Sequence, residues 1–219
     1  MPETTPPTEP TPDEPAAEPA AEAPATRGRR GLLLKVVAAV VVLALVVGGG
    51  ITAALALTGP DTHTLTLTKT AGGMERDTER EKAGASTLSA VEKQVVDNIE
   101  GKVSYTRLGL YTQDDEKRGP VGPLLFVGVK LATPVEDPAT LLADFRSRAK
   151  ANGFEVTSLD TGDDSAGACA AQTEGQKAAI CAWATRDTVG QLFPTAVGYS
   201  RGQVAKLLTD VRADVERTD

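Results

Sequence analysis

One histidine, His63, and two cysteines, Cys169 and Cys181, are all that 219 residues offer to a soft metal ion, and no carboxylate group stands beside them at ligand spacing. The reading is therefore of a chain with no metal and no cofactor. Acid clusters at Asp114-Asp115-Glu116 and Asp163-Asp164 lack the alternating oxygen ligands and central glycine of a calcium loop, and read as solvated turns. No glycine-rich phosphate loop is present. The two asparagines, Asn98 and Asn152, lack the Ser/Thr that a glycosylation acceptor needs. Bases are fewer than acids, 23 against 30, and beyond residue 35 they form no stripe, which argues against nucleic acid as a partner.

What the chain has, it distributes unevenly. Residues 1–26 carry six acids, no base and eight of the fourteen prolines, and their one apolar residue larger than alanine is Met1. Such a segment buries too little surface to offset the entropy of ordering, so residues 1–30 read as a disordered acidic tail with a basic flank. Two P-x-x-P spacings, from Pro7 and from Pro12, fit either a docking peptide or a solvated low-complexity tail.

From Val36 to Leu57 there follow 22 uncharged residues, VVAAVVVLALVVGGGITAALAL. As a helix they would extend roughly 33 Å, enough for a hydrocarbon core of about 30 Å. Residues 31–58 are accordingly expected to form a transmembrane signal anchor, with the lipid bilayer as first partner. Arg27, Arg29, Arg30 and Lys35 precede the run, whereas the 18 residues after it supply only Lys69. The positive-inside rule puts the tail in the cytoplasm and residues 59–219 outside the cell membrane. Ala54-Leu55-Ala56 matches a signal-peptidase site, but the run is longer than a cleaved signal's apolar core and lies 35 residues into the chain. Gly50 and Ala54 form a small-xxx-small pair through which two spans could associate as a homodimer.

The outer region holds all eight aromatic residues. THTLTLTKT (62–70) alternates at period two and predicts a strand with Leu65 and Leu67 on one face, broken by Ala71-Gly72-Gly73. The charged stretch 74–86 reads as a loop or a surface turn of helix. Leu88, Val91, Val95 and Ile99 at helical spacing predict a helix over 86–100, stopped by Gly101. Strands are expected in KVSYTRLGLYT and PLLFVGVKLA. A helix capped by Asp137, with Leu141, Leu142, Phe145 and Ala149 on one face, comes next and is stopped by Gly153. FEVTSL, ACAAQ, AAICAWA and TVGQLF are further strand candidates. A final helix from about Ser200 carries Val204, Leu207, Leu208, Val211 and Val215 on one stripe. This succession predicts an α+β domain, an antiparallel sheet covered by helices, of undetermined strand order.

Gly198-Tyr199-Ser200-Arg201-Gly202 matches the nucleophile elbow of serine hydrolases, between a strand and a helix as that motif requires. No histidine follows it in the 19 remaining residues, and Ser200 with Gln203 makes a capping box, so the serine reads as a helix N-cap. His63 reads as an exposed strand residue at the membrane exit. Cys169 and Cys181, both outside the membrane, give the arithmetic of one structural disulfide. They are symmetric about Gly175, so a hairpin turning at Glu174-Gly175-Gln176 would oppose them directly, with Trp183 on the same face.

The segments LTKTAGG (67–73) and CAWA (181–184), with the Pro/Ala/Glu-rich tail and single span, resemble a family of actinobacterial single-pass membrane proteins. The resemblance implies the topology and says nothing of an activity. The expected function is a non-enzymatic, membrane-tethered domain of the cell envelope that binds a partner protein or senses a ligand. The alternatives are a hydrolase built on Ser200 and a transducer that relays an outer signal to the tail.

Overall fold

Period-two alternation along the central strands sorts their side chains onto two faces of one sheet. In β5 (Gly122–Leu131), Leu125, Val127, Val129 and Leu131 join one buried cluster while Leu124 and Phe126 join another. The structure is a computed structural model that describes residues 62–98, 102–162, 164–172 and 178–218. The expected tail (1–30), the anchor (31–58) with Arg27, Arg29, Arg30 and Lys35, the helix-stop Gly101 and the turn at 174–176 lie outside the described residues. Among the described residues no helix is long and apolar enough to cross a membrane.

Ten strands are described. β1 (His63–Leu65), β2 (Thr70–Ala71), β3 (Met74–Arg76) and β4 (Val103–Gln113) precede β5; β6 (Glu155–Leu159), β7 (Ala166–Ala171), β8 (Ala179–Ala184), β9 (Thr188–Pro194) and β10 (Glu216–Thr218) follow it. The main sheet runs β2-β3-β4-β5-β9-β8-β7-β6, antiparallel at each pairing, and β1 pairs separately with β10. Five helices accompany the strands: α1 (Thr78–Ala83), α2 (Ala85–Asn98), α3 (Pro138–Leu141), α4 (Ala143–Ala151) and α5 (Arg201–Val215). The α+β expectation holds at this level.

The two faces are covered by different elements. Val91 and Val95 of α2, Leu141 of α3, and Phe145 and Ala149 of α4 pack on one face. Val204, Leu207, Leu208, Val211 and Val215 of α5, with Leu65 of β1, pack on the other. Asp137 caps α3 by accepting the Ala139 N–H, and Ser200 caps α5 within a complete capping box.

Several segments differ from their sequence reading. Residues 62–70 are not one strand: His63–Leu65 pair with β10, and Thr70 starts the main sheet. The threonine face gives the segment no register of its own, and the apolar Leu65 decides where it docks. Gly72 and Gly73, at φ 57° and 70°, do break the chain's strand run as expected, ending β2 and forming the two-residue turn of the β2–β3 hairpin. The charged stretch 74–86 includes β3, whose Met74 is buried. The helix after Asp137 is two pieces that meet at Leu142, whose N–H bonds the Ala139 carbonyl in a tighter, three-residue turn.

Candidate functional site

The turn Thr185–Thr188 between β8 and β9 is tied by Thr185 N–H to the Thr188 carbonyl (2.9 Å) and by Thr188 N–H to the Thr185 hydroxyl (3.0 Å). It holds Asp187 with a side chain only 1% exposed, beneath the start of β1. The Asp187 carboxylate accepts the His63 backbone N–H (3.0 Å), His63 Nδ1–H (2.9 Å), the Thr185 hydroxyl (3.2 Å) and the Lys130 ammonium. Lys130 also donates to the His63 carbonyl at 2.6 Å, so one base clamps both the strand and its acid partner. Burial works against the charge on Asp187, but the bonds from Lys130 and from both His63 donors outweigh it and hold the carboxyl below its ordinary range. His63 is therefore not the exposed residue expected from the sequence; it is the half-buried end of a salt-bridged strap.

A second acid, Glu216 at the start of β10, continues the network. It accepts the Trp183 indole N–H (3.1 Å), the Thr188 hydroxyl and Arg212 Nε (2.5 Å). Arg212 further donates to the Thr161 carbonyl (2.8 Å) and the Ser165 hydroxyl (3.0 Å), and its guanidinium lies 6.0 Å from the Trp183 ring centre. Trp183 in turn lies parallel to Phe126, with centroids 5.8 Å apart. Its ring occupies the space above Gly190, where a Cβ would meet ring atoms at 2.1 Å. Gly128 beside it admits Leu65 and Phe126 in the same way. Two glycines facing each other across β5 and β9 thus make the depression that an indole and the strap fill.

Beside the network is an open cleft of about 380 Å³, whose lining includes His63, Asp160, Thr161, Leu208, Arg212 and Glu216. Within it Arg212 and Glu216 are paired with each other.

Ser200 lies far from this cluster. Its hydroxyl accepts the Gln203 N–H (3.3 Å) and donates to Gln203 Oε1 (2.9 Å). It begins α5, whereas His63 pairs with Thr218, beyond the helix's C-terminal end. The fifteen-residue helix separates them by about 22 Å, so serine and histidine form no dyad. Cys169 and Cys181 are directly opposed in the β7–β8 hairpin, with Cα atoms 4.1 Å apart and sulfurs bonded. They share a cluster with Trp183. Among the described residues no three His, Cys, Asp or Glu side chains converge to hold a metal.

Sequence reading passed over Lys130, Asp187, Arg212 and Glu216. Each is one charged residue in a short segment, and only the fold makes them neighbours. The one available signal was charge inside otherwise apolar strands: Lys130 is the one charged residue of the run PLLFVGVKL. No family model, no curated protein and no solved structure matches this chain.

Proposed function

We propose that the protein is a membrane-tethered domain of the cell envelope that binds a partner or ligand outside the membrane and catalyses no reaction. One observation carries this reading: a 22-residue uncharged run ends at Leu57, five residues before a domain whose two cysteines are joined as a disulfide. The run has the length of a bilayer-spanning helix, and a structural disulfide belongs to an oxidising compartment. The four bases before the run support a cytoplasmic tail. The capped, committed hydroxyl of Ser200 supports binding over hydrolysis.

Protease added to intact, wall-stripped cells tests the topology. It should remove residues 59–219 and spare an epitope placed in the first 30. A protected C-terminal domain with a cleaved tail would overturn the reading. Recovery of a soluble product beginning near Leu57 would instead make Ala54-Leu55-Ala56 a processing site.

A further inference from the structure

We infer that the end of the sheet around His63 is the domain's membrane face and lies against the lipid headgroups. The inference rests on the reading of residues 36–57 as a span. Its argument is the length of chain between that span and the first pinned strand. From Leu57 to Thr62 there are five Cα–Cα steps, which reach at most about 18 Å even when fully extended. The strap cannot lengthen the tether by peeling away at little cost. His63 is held through its N–H, its carbonyl and its ring by Asp187 and Lys130. The Leu65 N–H donates to the Tyr105 hydroxyl (2.9 Å), and the Thr66 N–H to the Val215 carbonyl (2.8 Å).

The same end carries other basic groups. Lys102 sits there because its carbonyl accepts the Ala132 N–H (2.8 Å) just past β5. The half-buried Arg186 is beside it, its carbonyl accepting the Val135 N–H (2.7 Å) and its Nε donating to the Val135 carbonyl (3.1 Å), and the exposed Arg217 is opposite Thr64 of β1. Their ammonium and guanidinium groups suit lipid phosphates. Glu136 and Asp137 follow Val135 closely in the chain, so charge alone would not bind this face to a bilayer; the short tether holds it there. The opposite end is out of reach. β5 has ten residues, about 33 Å at strand rise, and beyond its far end lie the exposed Val121 and Val197, on segments tied together by hydrogen bonds of the Tyr199 hydroxyl to the Pro120 carbonyl and of the Thr195 hydroxyl to the Pro123 carbonyl.

The test uses the full chain in vesicles of phosphatidylethanolamine and phosphatidylglycerol containing a small fraction of nickel-chelating lipid. Nitroxides are attached to single added cysteines at Lys102, Arg217, Val121 or Val197, with the native disulfide intact. Strong relaxation by the headgroup nickel is expected at 102 and 217, with none at 121 and 197. Inserting a 20-residue Gly/Ser linker between Pro60 and Asp61, of about 25 Å root-mean-square span, should remove the difference. Equal relaxation at both ends in the unextended chain, or stronger relaxation at 121 and 197, would overturn the membrane face while leaving the span standing. Extraction of the chain by alkaline carbonate would overturn the span itself, and the inference with it.

Discussion

Over one face of the sheet, α2, α3 and α4 lay aliphatic side chains and Phe145 on Leu125, Val127, Val129 and small alanines of β7 and β8. Over the other, α5 and the β1–β10 pair cover a stacked Trp183–Phe126, a disulfide and a chain of largely half-buried charges from Lys130 to Arg212. The first face depends on area and shape, and the second adds directional bonds between elements far apart in sequence: His63 to Asp187, Trp183 to Glu216. Area-driven packing loses stability in proportion to what is cut away, whereas a buried polar network loses more, because each deletion leaves a partner unpaired.

The largest test of that contrast truncates one ring on each face. Trp183→Ala should cost about 5 kcal/mol and Phe145→Ala about 3 kcal/mol, because losing the indole also leaves Glu216 short of a donor and uncovers Gly190. Equilibrium denaturation of the full chain in micelles would measure both, and equal losses would erase the distinction. Next, Asp187→Asn should cost about 3 kcal/mol by leaving Lys130 without its counter-charge, and should free the start of β1 to faster amide exchange. Because the folded-state carboxyl of Asp187 is depressed, its contribution is present above the ordinary aspartate value near 3.9 and is lost as pH falls through the lower folded value. The acid sensitivity of the wild type below about pH 4 should therefore be blunted in the variant.

The disulfide contributes through the unfolded chain rather than through the face it sits on. Replacing Cys169 and Cys181 with alanine opens a loop with a sequence separation of 12 and should cost about 3 kcal/mol. A thermal midpoint that does not move would remove it as a support of the second face. A smaller effect belongs to Tyr199, whose hydroxyl donates to the Pro120 carbonyl at 2.6 Å. Burial, opposed by the nearby Arg118 charge, pushes it up to about 12. Its stabilisation is complete below the ordinary tyrosine value near 10 and declines as pH rises toward 12. Tyr199→Phe should flatten part of that alkaline loss and remove a late-titrating phenol from the ultraviolet absorbance. The smallest effect is expected for Ser200→Ala, about 1 kcal/mol from a lost N-cap.

How far each element could be read depended on where its information lies. The α5 stripe and the two caps are local: one segment carries both the 3.6-residue period and the capping side chain, and the structure places Val204, Leu207, Leu208, Val211 and Val215 in the core. The opposition of Cys169 and Cys181 was legible for the same reason, since a separation of twelve with a glycine at its midpoint offers a hairpin little choice of register. β1 was misread as a longer strand because alternating threonines satisfy strand periodicity without saying which neighbour will pair. β10 was passed over because Glu216–Thr218 has no apolar residue at all. It is a strand only because Trp183, Thr188 and Arg212 hold Glu216, and because β1 lies beside it.

The amino-acid sequence by itself determined the period of the long helices and central strands, the caps, the pairing of its two cysteines and the uncharged run of bilayer length. Those properties follow from residues within a few turns or one hairpin of each other, where backbone geometry leaves few alternatives. Only the tertiary structure decided the strand order, the pairing of β1 with β10, and the bonding of His63 to the buried Asp187, 124 residues away. A charge has no periodicity to announce its partner; Lys130, Asp187 and Glu216 become a network when the faces that packing selects bring them together and exclude water from them.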